Sequence, residues 1–133
     1  MIFRRNNKGN GPVIVNEGRS LDGIDVLGFF TAEHGVGEAA RVLTSTLQAA
    51  GVSVSTIDYT DTQSRREHLF HCDNVSRNKV LMTAINADHL NEARRRLGTE
   101  FFTDRYVIGQ WFWELEEAPE WFGPAFAHVD ELW

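Results

Sequence analysis

The sequence contains a single cysteine and no long run of apolar residues. Cys72 has no second cysteine with which to pair, so nothing points to an oxidising compartment. The basic residues that follow Met1 precede no apolar stretch of signal-peptide length, and no run elsewhere is long enough to span a bilayer. We therefore expect a soluble, cytoplasmic protein, either free or peripheral to the membrane.

Positive charge is also scarce. Thirteen Lys and Arg residues stand against nineteen Asp and Glu residues, and the formal net charge is -6 at pH 7. Such a chain has no electrostatic footprint for the phosphate backbone of DNA or RNA. We therefore do not expect nucleic acid as a partner.

The length bounds the number of domains. A chain of 133 residues can bury one sizeable core and is too short for two ordinary domains. Residues 1–22 are glycine-rich and show little periodicity, which predicts a flexible N-terminal arm. We expect the folded domain to cover residues 23–133.

Residues 23–133 alternate between strand-like and helix-like patterns. Short apolar, β-prone runs predict strands over 24–30, 52–57, 79–86 and 106–113. Helical spacing predicts helices over about 36–50, from Asn86 or Asp88 to Gly98, and after Pro119, where Pro124 interrupts the helix or makes it restart. The polar segment 58–78 is predicted as a loop with one short helical piece at most. The alternation predicts an α/β fold with an open parallel sheet covered on both faces.

A fifth strand would begin in the last four residues, DELW. An apolar run that stops at its first residues is unusual for a complete domain. The pattern therefore predicts a domain that is truncated at its C-terminus.

The stretch GVGEAA, residues 35–40, fits the pattern G-x-G-x-x-A at the start of the first predicted helix. Unpaired amides of Val36, Gly37 and Glu38, together with the positive end of the helix dipole, would form an anion site. A second interpretation is that Gly35 and Gly37 only allow a tight turn and close packing of the helix on the sheet.

A dinucleotide is one anion that this loop could bind. Asp58 at the end of the second predicted strand supports that interpretation, although it could equally be a surface residue in a polar turn. Residues 31–34 argue against a dinucleotide, because in a dinucleotide-binding loop the first glycine follows the strand almost directly, whereas here these residues separate Gly35 from the strand. The longer loop suits a bulkier substrate. Within this insertion, His34 is a candidate to contact the substrate or to transfer a proton.

The segment His68–Cys72 contains residue types that bind zinc. A structural zinc site needs about four ligands, and no second cluster with compatible spacing is present. We therefore predict no metal site.

The run WFWELEE, residues 111–117, lies at the end of the fourth predicted strand. Alternation predicts that Trp111 and Trp113 share one side of the strand, that Phe112 lies on the other, and that Glu114 falls just past the carboxyl end. Aromatic rings with nearby carboxylates suit sugar binding, because rings cover C–H surfaces and carboxylates accept from hydroxyls. The alternative is that the tryptophans belong to the core.

Three ordered segments carry a resemblance to a known family. They are GFFTAEHGVGEAARVLTSTLQAAGVSVSTIDY, then TAINADHL, then RLGTEFFTDRYVIGQWFWELEEAPEWFGPAFAHVDELW. Their motifs G-x-G-E-A-A-R, N-A-D and W-x-W-E-L, in this order, resemble the N-terminal region of family 4 glycosyltransferases, and the resemblance covers roughly residues 24–133. It implies a Rossmann-like, three-layer α/β/α domain that forms the N-terminal half of a GT-B fold.

In such enzymes two Rossmann-like domains face each other across a cleft. The N-terminal domain mainly binds the acceptor, and the C-terminal domain holds a nucleotide-sugar donor as co-substrate, usually without a metal or other cofactor. The glycine loop approaches the donor phosphates, which the resemblance places on Gly35, Val36 and Gly37, with Glu38 and Arg41 on the exposed face of the helix.

The resemblance also suggests where catalysis takes place. Many family members carry a catalytic-side residue, often histidine, at the end of the fourth strand, where this chain has Trp113 and Glu114. These two residues are our candidate catalytic residues.

The expected function is transfer of a hexosyl group to a hydroxyl of a glycan, lipid or small-molecule acceptor. Because the donor-binding domain is absent from these residues, we expect no transfer by this chain alone. One alternative is a non-catalytic Rossmann-like module that forms a homodimer through its exposed inter-domain face. Another is a dinucleotide-binding domain.

Overall fold

The computed structural model describes the backbone of residues 3–4 and 13–15 and the complete residues 18–133. Most of the predicted N-terminal arm therefore lies outside the described residues. Within its span, strands β1 (Phe3–Arg4) and β2 (Val13–Val15) pair antiparallel, and β2 pairs parallel with β5 (Val75–Ser76). These three short strands form a small sheet.

The main sheet has five strands, all parallel. They are β3 (Ser20–Gly28), β4 (Ser53–Asp58), β6 (Asn78–Ala84), β7 (Tyr106–Gly109) and β8 (Glu131–Leu132). Their order across the sheet is β4-β3-β6-β7-β8. The predicted α/β fold with an open parallel sheet is confirmed, and β8 is the predicted fifth strand. The chain direction across the sheet reverses between β3 and β6, which makes the carboxyl ends of these two strands the topological switch point.

Helices cover both faces of this sheet. They are α1 (Gly35–Ala49), α2 (Ala87–Leu97), α3 (Thr99–Phe102) and α4 (Gly123–Phe126), with a single 3₁₀ turn at Glu120–Phe122 before α4. Successive strand residues point to opposite faces, so in β3 Val26 packs with Ala40 of α1, whereas Leu27 packs with Leu90 of α2. The result is three layers, with α1 on one face and α2, α3 and α4 on the other.

The two long helices lie where the periodicity predicts them, to within one or two residues. The backbone just after α1 turns at Gly51 and that after α2 at Gly98, with φ of +82° and +85°. Glycine adopts this left-handed region without the steric cost of a Cβ. Both helices therefore end next to a glycine in the sequence.

The C-terminal elements differ from their predicted lengths. The strand predicted over 106–113 ends at Gly109, and the amide of Phe112 donates instead to the side chain of Asn86. The helix predicted after Pro119 is reduced to the 3₁₀ turn and the four residues of α4. Pro124 explains this interruption, because it has no N–H to donate and its ring clashes with the preceding turn. Between residues 59 and 74 no helix forms.

Candidate functional site

A cavity of about 530 Å³ opens at the topological switch point. In open parallel sheets this is where ligands bind, because the loops that leave the two diverging strands separate there. The segments that follow β3, β4, β6 and β7 all contribute to its walls. The lining residues are Phe29, His34, Gly35, Val36, Ala39, Thr62, Ser64, Asn86, His89, Phe112 and Glu114.

The N-terminus of α1 forms one wall of this cavity. His34 is the N-cap residue, and its Nδ1 accepts a hydrogen bond from the Gly37 amide over 3.1 Å. The Glu38 amide donates to the His34 carbonyl at 3.0 Å. Among residues 18–133 no acceptor takes the amides of Gly35 and Val36. These two amides, rather than those of Gly37 and Glu38, are therefore available to an anion.

The capping bond fixes the chemistry of His34. Because Nδ1 accepts from Gly37, the proton of the neutral imidazole must lie on Nε2, which becomes a hydrogen-bond donor. Burial lowers the pKa of His34, and the positive charge of Arg41 and the proximity of His89 lower it further. The site therefore favours neutral His34 with a donor at Nε2, not a base at that atom.

The floor of the cavity is aromatic. The Phe29 ring meets the His34 ring at a centroid distance of 4.9 Å and the His89 ring at 5.1 Å, and both pairs are edge-on. Phe29 is 2% exposed and belongs to the core. Both histidines therefore pack against one buried ring.

A second, more polar cavity of about 600 Å³ adjoins the first. The two share Thr62, Ser64 and His89, and the second adds Asp61 and Gln63. These side chains offer hydroxyl, carboxamide, carboxylate and imidazole groups. Such a set exchanges hydrogen bonds with a ligand that carries several hydroxyls.

The opposite wall comes from the segments after β6 and β7. Asn86 Oδ1 accepts a hydrogen bond from the Phe112 amide over 2.9 Å. This bond ties the two segments together and sets Phe112 and the exposed Glu114 at the cavity. The strand on which the alternation was predicted ends at Gly109, but Trp111 and Trp113 both contact Phe122.

Four of the predicted site residues lie outside the cavity, namely Gly37, Glu38, Arg41 and Trp113. A Cβ at Gly37 would lie 2.6 Å from the Phe29 carbonyl oxygen and 2.8 Å from that of Ala32. Gly37 therefore permits close packing of the helix start on the loop, which is the second interpretation that the glycine pattern left open. His34, Gly35, Val36 and Glu114 are the predicted residues that the structure brings together.

Arg41 differs from its predicted exposed position. It is only 9% exposed, and its guanidinium donates to the carbonyls of Phe30 and Ala32 at 2.9 and 3.0 Å. It also pairs with Glu38 at 2.9 Å. The reason is the insertion after β3, whose carbonyls turn towards α1 and require a donor. Arg41 and Glu38 thus support the loop from behind.

Trp113 packs within a group of aromatic side chains. Its Nε1 donates to the Glu117 carbonyl over 2.8 Å, and its ring contacts Trp121 and Phe122. Of the two candidate catalytic residues, only Glu114 lies at the cavity.

Asp58 connects β4 to the insertion after β3. Its carboxylate accepts from the Thr31 amide at 3.2 Å and from the Thr31 hydroxyl at 2.8 Å, and Arg66 lies 3.5 Å away. Asp58 does not line the cavity. Its partners instead show that it holds the loop that carries His34.

The sequence pattern does not predict Thr62, Ser64 and His89 as site residues, and it predicts Asn86 only as a helix cap. Thr62 and Ser64 belong to a polar segment without periodicity, which offered no signal. The position of His89 in the first turn of α2 did carry a signal, because residues there follow a strand that ends at the switch point.

Within the described residues, no group of three or more His, Cys, Asp or Glu side chains could hold a metal ion. In the same part of the chain no helix has the length and apolar character needed to cross a membrane. A scan against family models and searches of curated proteins and of solved structures find no match to this chain.

Proposed function

We propose that this chain is the acceptor-side domain of a nucleotide-sugar-dependent glycosyltransferase, which transfers a hexosyl group to an acceptor hydroxyl. One observation carries the proposal. The cavity at the switch point combines aromatic surfaces, hydroxyl and carboxamide groups and two available helix-start amides. The ordered resemblance of residues 24–133 to family 4 glycosyltransferases supports the same conclusion.

The polar and aromatic groups of the cavity match the chemistry of a sugar. The ring of Phe112, which is exposed at the cavity, can cover an apolar C–H face of a pyranose. Its hydroxyls can exchange hydrogen bonds with Thr62, Ser64 and Asn86. A ligand with alternating apolar faces and hydroxyls would therefore satisfy most of the wall.

The start of α1 matches the charge of a leaving diphosphate. In the proposed reaction the amides of Gly35 and Val36 and the Nε2–H of His34 donate to phosphate oxygens, where negative charge develops as the bond to the sugar breaks. Glu114 accepts a hydrogen bond from the acceptor hydroxyl and positions it for attack. A second domain, outside these residues, holds the rest of the donor.

A substitution at Gly35 tests the phosphate role, because a Cβ there meets no atom within 4 Å. Gly35→Asp places a negative charge beside the two amides, and the helix dipole tolerates that charge. Gly35→Asn is the neutral control of the same shape. We expect Gly35→Asp to weaken the binding of UDP and UDP-glucose by about tenfold or more in isothermal titration, whereas Gly35→Asn binds them like the parent chain.

Three results would contradict the proposal. Equal affinity of both Gly35 variants for UDP would remove the phosphate role. Binding of NAD with no binding of UDP-glucose would favour a dinucleotide domain. Glycosyl transfer by this chain alone would show that no second domain is needed.

A further inference from the structure

The negative charge of this chain is concentrated in its last segment. Residues 106–133 contain six Asp and Glu residues and no Lys or Arg, whereas residues 1–105 contain thirteen acidic and thirteen basic residues. The whole formal net charge of -6 therefore belongs to residues 106–133. Such a concentration produces a negative potential over one region of the surface.

The same segment contains all four tryptophans of the chain. Two of them join Phe122 in one cluster, with Trp113 at a centroid distance of 4.9 Å from Phe122 and Trp121 at 4.6 Å. Trp111 extends the cluster to Phe126 at 5.2 Å. Because these rings contact one another in sequence, they form a continuous band and not a set of scattered apolar residues.

Much of this band faces solvent. Trp121 is 54% exposed, Phe126 48% and Trp113 41%, and the nearby Leu115 is 69% exposed. A contiguous exposed apolar patch of this kind marks an interaction site on a folded protein. Tryptophan is also the residue type most enriched among the residues that dominate binding energy at interfaces.

Carboxylates border the exposed rings. Glu116, Glu117 and Glu120 are exposed and lie in the chain between Trp113 and Trp121. None of the three pairs with a cation of residues 18–133. We call this region the acidic aromatic surface and define it by Trp113, Leu115, Trp121, Phe126 and these three glutamates. None of these seven residues lines the cavity at the switch point.

We propose that the acidic aromatic surface binds a cationic, arginine-bearing segment of another protein. The rings of Trp113 and Trp121 stand at 88° to each other, so they present faces in two directions to planar guanidinium groups. The Trp113 indole is held by its hydrogen bond to the Glu117 carbonyl, which fixes its ring before a partner arrives. Arginine fits better than lysine, because its planar group both stacks on a ring and pairs with a carboxylate.

Charge argues against a second copy of this chain as the occupant. A symmetric dimer places the same patch of each copy face to face, so the three glutamates of one copy would oppose those of the other. Like charges at the centre of an interface are unfavourable. A basic partner replaces this repulsion with attraction and supplies the cations that the three carboxylates do not find among residues 18–133.

The test uses the full chain and a hexa-arginine peptide. Because all four tryptophans lie in residues 106–133, tryptophan emission reports on this region alone. We expect a saturable change in emission with hexa-arginine, binding weaker by about threefold or more with hexa-lysine, and no change with hexa-glutamate. Binding should weaken as salt rises from about 0.05 to 0.5 M.

Variants separate this surface from general attraction to an acidic protein. The anisotropy of a labelled hexa-arginine peptide measures affinity independently of the tryptophan content. We expect Glu116→Gln with Glu117→Gln, and separately Trp121→Leu, to weaken binding about fivefold to tenfold. The matched control, Glu67→Gln with Glu100→Gln, changes the net charge equally at exposed positions elsewhere and should bind like the parent chain.

Several outcomes would overturn the proposal. Unchanged tryptophan emission on peptide binding would locate the peptide elsewhere. Equal effects of the two double glutamine variants would reduce the binding to net charge. A concentration-dependent dimer in sedimentation that excludes the peptide would make a second copy the occupant. None of these outcomes bears on the binding of UDP at Gly35, so the two proposals can fail separately.

Discussion

The Gly37 amide donates a hydrogen bond to Nδ1 of His34 over 3.1 Å, and the same imidazole lines the cavity at the switch point. One side chain thus caps α1 and offers a donor to a ligand. Protonation at Nδ1 removes the acceptor that the cap requires. The start of α1 and the chemistry of the cavity therefore depend together on neutral His34.

The chain should become less stable as the pH is lowered, and protonation of His34 should cause part of this loss. Burial lowers its folded-state pKa below the ordinary value of 6.5. Because the unfolded chain then binds the proton more tightly, the contribution of His34 is fully present above pH 6.5 and is lost as pH falls through the lower folded value. His34→Asn keeps a capping oxygen that does not titrate, so its stability should decline less below about pH 6.

Urea unfolding between about pH 7.5 and 5 measures this difference. His68→Asn is the control, because it removes one exposed histidine that takes no part in the N-terminal cap of α1. Identical pH slopes for the parent chain and His34→Asn would contradict the coupling. Long-range proton–nitrogen NMR correlation gives a second readout, in which we expect the neutral His34 proton on Nε2 and not on Nδ1.

The two glycines of the stretch GVGEAA, residues 35–40, should respond differently to substitution by alanine. A Cβ at Gly37 would lie 2.6 Å from the Phe29 carbonyl, and rigid backbone cannot move away cheaply, so Gly37→Ala should destabilise the chain by about 1–3 kcal/mol. Gly35 has open space and lies at the first helical position, so Gly35→Ala should be neutral or stabilise by up to about 1 kcal/mol. Thermal unfolding of the two variants measures this difference. Similar losses of stability in both would refute the assignment of Gly37 to close packing and of Gly35 to open space.

The fold was largely predictable from the sequence because its signals are local. Apolar runs of strand length and the 3.6-residue spacing of α1 and α2 reflect burial, and glycines follow both helices where they end. The C-terminal part was less predictable. At Gly109 the aromatic run continues but the strand does not, because the Phe112 amide finds its acceptor in the distant Asn86.

The candidate site was predictable only in part. His34, Gly35 and Val36 follow directly from a loop between a strand and a helix, which is a local pattern. Thr62, Ser64 and His89 come from segments that meet only in the folded chain, and their residue types carry no periodic signal. The burial of Arg41 likewise depends on the carbonyls of a loop nine to eleven residues away.

Asp25 and Arg105 form a buried ion pair at the amino end of the sheet, away from the cavity. Both side chains are fully buried. Asp25 also accepts from the Asn78 side chain at 2.7 Å and from the Arg77 amide at 3.0 Å. Burial lowers the pKa of Arg105 to about 10, while the Asp25 carboxylate acts in the opposite direction. Asp25→Ala should therefore destabilise the chain by about 3–5 kcal/mol, because it leaves the guanidinium unpaired.

A double-mutant cycle measures how far this loss depends on the unpaired charge. If the unpaired charge causes the loss, the free energy of unfolding lost by combining Asp25→Ala with Arg105→Met should be clearly smaller than the sum of the two single losses, as measured by urea unfolding. Simple additivity would mean that the pair does not couple. UDP binding in the folded variants should remain at the parent level, because neither residue lines the cavity.

Asp58 should control the loop that presents His34 without contacting a ligand. Its carboxylate binds both the amide and the hydroxyl of Thr31, at 3.2 and 2.8 Å, and its side chain is 9% exposed. Asp58→Asn removes the charge and replaces one acceptor with a donor, so we expect a stability loss of about 1–3 kcal/mol. Hydrogen exchange at the Gly37 amide should also accelerate, because the loop that holds its acceptor loosens.

Asp73 offers a matched control for this last prediction. It holds Thr56 in the same way, accepting from the amide at 2.9 Å and the hydroxyl at 3.1 Å, and among residues 18–133 its side chain makes no hydrogen bond to the loop after β3. Asp73→Asn should therefore leave exchange at Gly37 unchanged, even where it costs stability. If both variants accelerate exchange at Gly37 equally after correction for global stability, the loop owes its order to the whole fold. A selective effect of Asp58→Asn would instead show that residues 31–34 are held from β4, and that His34 reaches the cavity because Asp58 keeps Thr31 in place.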